Sequence, residues 1–172
     1  MQPDGNILIG GYFTSVNSTA RNRIARLTST GALDTSFDPG TGTDNVIYSL
    51  TLQNDGKVLL GGIFQDVNGT ARNSIARLNA DGSHDTSFDP GTGANEAIDG
   101  IALQADGNIL IAGHFTQYNS LARNRMARID NDAVTQSLTI ANSTQAQWMR
   151  SGAGPEVSTV TFQLSTDGEA RA

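Results

Sequence analysis

The 172-residue sequence contains no cysteine, so disulfides and thiolate chemistry are excluded. It has two histidines, His84 and His114, and neither has a second histidine at metal-ligand spacing. No apolar run approaches the roughly 20 residues that cross a bilayer, and membrane insertion is not expected. Met1 to Gly11 lack a basic segment followed by an apolar one, so no signal peptide is visible. Hydrophobic residues make up only 37% of the chain, and a helical period of 3.6 is missing. Positive charge is scarce: 11 Lys and Arg against 17 Asp and Glu leave a net charge of −6. Such a surface repels phosphate backbones and anionic lipid, so neither is expected as a partner.

What the chain does have is glycine, 19 in all, and an internal period. Gln2-Pro3-Asp4-Gly5 recurs as Gln53-Asn54-Asp55-Gly56 and as Gln104-Ala105-Asp106-Gly107, 51 residues apart each time. Residues 2–52 and 53–103 share 29 identities in 51 positions, far beyond chance. The third copy holds to Ile129 and then departs, with Gln136 where Asp34 and Asp85 stand and Thr139 where Phe37 and Phe88 stand.

Each period reads as strands and turns. Val46 to Leu52 alternates, an Asp-Gly turn follows, and Val58 to Phe64 forms the second strand. Two turn residues tolerant of positive φ are expected at Asp55-Gly56. The Gly61-Gly62 pair weakens a strand unless another backbone comes close, which points to tight packing between units. Ser74 to Leu78 is the third strand, and a short fourth is expected near Thr86 to Phe88. The size is that of one propeller blade. The expected fold is all-β: tandem antiparallel sheets forming a partial β-propeller of about three blades, with a C-terminal β-strand tail. The repeats are placed at 1–132 (1–52, 53–103 and a partial 104–132), and an incomplete β-sandwich-like tail or cap at 133–172.

The pattern Gln-x-Asp-Gly-x-Ile/Val-Leu-x-Gly-Gly-x-Phe continues with Asn-x-x-Ala-Arg-Asn-x-Ile-Ala-Arg-Leu and Gly-x-x-Asp-Thr-Ser-Phe-Asp-Pro-Gly-Thr-Gly. Over about residues 2–129 it resembles the delta-60 repeat family of large bacterial proteins. The resemblance implies a propeller-like fold and a cell-surface or extracellular setting. It implies no defined activity and brings no catalytic residues.

Several residues invite a chemical reading. The pairs Arg21 and Arg26, Arg72 and Arg77, and Arg123 and Arg128 could form an anion-binding ring, or bridge units through carbonyls and the carboxylates of Asp34 and Asp85. Asp34, Asp38, Asp44, Asp85 and Asp89 could suggest calcium, yet their spacing is not that of a calcium loop. Gly40-Thr41-Gly42 and Gly91-Thr92-Gly93 lack the lysine and helix of a phosphate loop. His84 and His114 read as surface histidines. A binding face is expected where the copies differ, at 14–16, 65–67 and 116–118, and at 43–48 against 94–99. Tyr48, Asp66 and Tyr118 are the contact candidates, though drift explains the variation equally well.

No catalytic, cofactor or metal residue is assigned. The expected role is a non-catalytic binding or adhesion scaffold, a fragment of a larger exported protein, with a protein or glycan as partner. The alternatives are a homo-oligomerising structural segment that completes a propeller and an enzyme with a pocket on the propeller axis.

Overall fold

The computed structural model describes residues 1–132, 134–142, 145–155, 163–164 and 170–171. All regular structure among them is β. The chain runs β1 (Ile7–Gly10), β2 (Ser15–Val16), β3 (Thr19–Ala20) and β4 (Ile24–Leu27) in the first unit. The second holds β5 (Ile47–Leu52), β6 (Val58–Gly62), β7 (Asp66–Val67), β8 (Thr70–Ala71) and β9 (Ile75–Leu78). The third repeats this as β10 (Ile98–Leu103), β11 (Ile109–Gly113), β12 (Gln117–Tyr118), β13 (Leu121–Ala122) and β14 (Met126–Ile129). Then follow β15 (Val134–Asn142), β16 (Gln145–Gly152), β17 (Gln163–Leu164) and β18 (Ala170–Arg171).

Each unit is an antiparallel sheet, ordered β5-β6-β9 in the second and β10-β11-β14 in the third, with β1-β4 in the first. A small separate hairpin, such as β7-β8, leaves its end. The Asp-Gly turn between β5 and β6 closes a three-residue loop, with Gly56 N donating to Gln53 O and Gln53 N to Lys57 O. Only Gly56 takes a positive φ, of 80°. Asp55 works through its side chain instead, which accepts from Lys57 N at 3.1 Å. Asp4, Asp81 and Asp106 do the same for the amide two residues on. The turn is thus an Asx turn ahead of a left-handed glycine, and not one with two positive-φ residues.

The fourth segment differs from expectation. It does not lie at Thr86 to Phe88, which forms a turn, but at single bridges from Leu33 to Leu27 and from His84 to Leu78. Asp34 N and Asp85 N then donate to Arg26 O and Arg77 O, both at 2.9 Å.

Alternating side chains give each sheet two apolar faces, so hydrophobic cores form between units. Ile24 and Phe37 of the first unit meet Ile47, Val58, Leu60, Ala76 and Leu78 of the second. Leu59, Ile75 and Phe88 of the second meet Ile98, Ile109, Ile111 and Ala127 of the third. The glycine pair serves this stacking. A Cβ on Gly61 would stand 2.9 Å from Ile98 Cγ2 of the next unit, and one on Gly62 would stand 2.1 Å from Val46 O within its own sheet. One glycine lets units approach; the other lets β5 approach β6.

After β14 the chain leaves the stack, and β15 pairs with β16 in a two-stranded sheet of its own. Residues 153–155 return to the second unit. Asn54 N donates to Gly154 O at 3.0 Å, and Pro155 bridges Gln53. Beyond Pro155 the expected tail is described only at Gln163–Leu164 and Ala170–Arg171.

Candidate functional site

The recurring polar residues are occupied by the stacking itself. Arg26 Nε donates to Asp34 Oδ2 at 2.7 Å, and its Nη1 reaches Ala80 O of the second unit at 2.9 Å. Arg77 repeats this more deeply. Its Nε meets Asp85 Oδ2 at 2.7 Å, while Nη1 donates to Asn131 Oδ1 at 2.6 Å and lies 2.8 Å from Asp132 Oδ2. Lys57 Nζ adds a contact to Asp85 at 2.9 Å. Each guanidinium also lies over a phenylalanine of its own unit, Arg26 over Phe37 and Arg77 over Phe88, about 5 Å from the ring centre. Burial opposes the Asp85 charge, but hydrogen bonds from Ser87, Lys57 and Arg77 outweigh it and hold the carboxyl well below its ordinary range. Arg21, Arg72 and Arg123 each donate Nη1 to the carbonyl of the residue before. Arg26 and Arg77 therefore bridge units, while Arg21, Arg72 and Arg123 brace their own strands, so the pairs do not form one anion-binding ring.

The aspartates weighed for calcium are spread over separate tasks. Asp38 and Asp89 accept from Gly40 N and Gly91 N, and Asp44 from Gln65 N and Asp66 N. Among the described residues no three acidic or histidine side chains cluster as metal ligands. The Gly-Thr-Gly loops are interlocks. Asn68, at the tip of the β7-β8 hairpin, accepts from Gly42 N and Thr41 Oγ1, both at 3.0 Å, while Asn22 Nδ2 donates to Thr41 O at 2.8 Å. Asn73 and Asn119 do the same at Thr92 and Gly93. These asparagines escaped the sequence reading. The Asn68-Gly69 dipeptide was the available signal, since both residues take positive φ, at 52° and 76°, as a two-residue hairpin turn requires.

Two expectations about single residues need correction. Tyr118 is no surface contact: it is buried, its Oη donates to Pro90 O at 3.0 Å, and burial, with Asp89 nearby, pushes the phenol up to about 12. His84 is half-buried where Leu33 stands in the first unit, and its Nε2 has no hydrogen-bond partner among the described residues. Burial, then Arg72, lower its pKa. His114 does lie at the surface, 3.2 Å from Asp99.

What remains exposed is a rim at the ends of β1, β6 and β11. Positions 12, 63 and 114 hold Tyr, Ile and His, and positions 48 and 99 hold Tyr and Asp. Ile63 N donates to Val46 O and His114 N to Ala97 O, and at the bulge after Ile98 the Asp99 carboxylate lies 3.2 Å from His114. Tyr12 is 81% exposed and Tyr48 51%. A cleft of about 390 Å³ starts at Ile63 and is lined also by Phe64, Gln65, Asn73, Asn95 and Glu96, among others. Asp66 belongs instead to the hairpin turn, where it accepts from Gly69 N at 2.7 Å.

The family model described as "Domain of unknown function (DUF5122) beta-propeller" matches residues 2–37, 53–88 and 104–132. Each full match runs from the start of an Asx turn to the phenylalanine under the arginine, which is the structural unit defined by the stacking. No curated protein and no solved structure matches the chain. The matched stretches cover more than half of the sequence, and the chain belongs to the DUF5122 β-propeller family.

Proposed function

We propose that the chain is a non-catalytic scaffold that presents the Tyr12–Tyr48 rim to a protein or glycan partner. The observation that carries this reading is the division of labour along the repeat. Positions shared by the copies are consumed by the frame, while 12, 63 and 114, and 48 and 99, differ between copies and are exposed. Exposed aromatics supply large, rigid contact area with a polar handle, the usual means of gripping a sugar face or a peptide. The repeat pattern is of the delta-60 type, and a cell-surface or extracellular setting follows from that likeness.

The test is a glycan array and a panel of surface-protein peptides probed with the full chain and with a Tyr12→Ala/Tyr48→Ala variant. Signals that fall at least tenfold in the variant, with unchanged thermal unfolding, support the reading. Signals identical in both would place binding elsewhere.

A further inference from the structure

In the first two units the sheet is completed by a segment that follows its last strand. That segment does three things each time. It bridges the outer edge of the last strand at Leu33 or His84, gives a carboxylate to the arginine on that strand, and slides a phenylalanine under the guanidinium. In the third unit the residues at the corresponding positions are Gln136 and Thr139, and they belong to β15, which pairs with β16. Thr139 is exposed, whereas Phe37 and Phe88 are buried.

Among the described residues the outer edge of β14 is therefore left open. Among the described residues no backbone amide reaches Arg128 O, whose counterparts Arg26 O and Arg77 O each accept one. Arg128 is half exposed and rests on its own first turn, at 2.6 Å from both Gln104 Oε1 and Asp106 Oδ2. Met126 is 65% exposed where Ile24 and Ile75 are fully buried. A cleft of about 330 Å³ runs along this edge, lined by Asp89, Pro90, Tyr118, Arg123, Arg128 and Ile129, among others.

We propose that this edge binds, by strand addition, an extended segment of the type apolar-Asp-Thr-Ser-Phe carried by another polypeptide. The occupant is defined by two examples within this molecule. Its backbone would meet Arg128 O, its aspartate would draw Arg128 away from Asp106, and its phenylalanine would cover the guanidinium and Met126. Main-chain pairing gives such a site affinity, and the side-chain pair gives it selectivity. The cleft carries Arg123 and Arg128 against Asp89 and Asp130, so an acidic peptide is not repelled locally. A second copy of this chain is a poor donor. Its own Asp34–Phe37 and Asp85–Phe88 segments are already folded into cores and would have to be pulled out first.

The experiment is fluorescence anisotropy of a labelled peptide copying residues 81–91, titrated with the full chain. Saturable binding is expected, weakened about tenfold or more by Asp85→Asn or Phe88→Ala in the peptide, and likewise by Arg128→Gln in the chain. Asp106→Asn in the chain keeps its turn-forming oxygen yet frees Arg128, so it should tighten binding. A scrambled peptide that binds equally well, or affinity unmoved by Arg128→Gln and Asp106→Asn, would overturn the proposal. Light scattering that shows the chain pairing with itself through this edge would overturn the choice of donor.

Discussion

Arg77 and Arg128 occupy the same place on the same strand of successive units, yet they live in different surroundings. Arg77 is 1% exposed and holds four polar side chains from two units, Asp85, Ser87, Asn131 and Asp132; Arg128 is 51% exposed and, among the described residues, bonds to Gln104 and Asp106 of its own first turn. The difference follows from partners outside the strand: the aspartate eight positions later, present as Asp85 and replaced by Gln136, and the partner 54 positions later, Asn131. The same holds for the sheet face. Ser49 Oγ and Thr51 Oγ1 of the second unit grip the Ile101 backbone at 3.1 and 3.0 Å, whereas their counterparts in the third unit, Gly100 and Ala102, have no hydroxyl to offer. A repeated residue keeps its role only where its neighbours repeat too.

The largest effect should come from the buried arginine. Arg77→Ala leaves the buried Asp85 with Lys57 as its one remaining cation and removes a buried guanidinium that joins two units, which should cost about 3 kcal/mol, the lower end for breaking a buried pair. Urea unfolding would read it as a midpoint shift with unchanged slope. A loss below about 1 kcal/mol would dissolve the contrast with Arg128.

The glycine faces give the next test. Gly61→Ala forces a methyl against Ile98 and Ile101, at 2.9 and 3.0 Å, and should cost about 1–3 kcal/mol by overpacking. The third unit already carries Ala112 at that position, where it is exposed. Ala112→Gly should cost only about 0.5–1 kcal/mol, the ordinary penalty of glycine in a strand. Equal costs would mean that the two faces do not differ.

How much of this was legible beforehand follows from the range of each interaction. The Asx turns, the strand faces and the close approach at Gly61-Gly62 depend on residues within a few positions of each other, and the sequence displays them. The single-bridge fourth segment is too short to carry a periodicity, so Leu33 and His84 could not be told from loop residues. Tyr118 varies among copies like a surface residue; its burial depends on Pro90, 28 positions earlier. The asparagine interlocks join Thr41 to Asn68 across 27 positions, beyond any local pattern.

Acid should act on the second unit before the first, because only the second carries a histidine in its fourth segment. The folded His84 pKa lies below its ordinary value of 6.5. The unfolded chain therefore binds the proton first, and stability present above about pH 6.5 is lost as pH falls below it. Asp85 contributes in the same direction in a lower window: its folded pKa is also depressed, so its stabilisation is lost only as pH falls through the carboxylate range. His84→Leu, which copies the first unit, should remove the loss that sets in below pH 6.5 and leave the lower Asp85 window unchanged. Thermal unfolding from pH 8 to 3 separates the two. A variant with the same slope as the parent above pH 5 would exclude His84 as its source.

The smallest effect should be Arg128→Ala. Its ion pair with Asp106 is half exposed on both sides, and water and salt screen such a pair until it contributes little to stability. The bond to Gln104 adds little, because the same solvent competes for it. The value of the measurement lies in its comparison with Arg77→Ala under identical conditions. If burial by the following unit decides what an arginine contributes, the two substitutions differ severalfold, and 0.5 M salt shrinks the Arg128 effect while sparing most of the Arg77 one. If Arg128→Ala instead costs as much as Arg77→Ala and resists salt, then the open edge of β14 is occupied in solution, and the third unit is completed as the first two are.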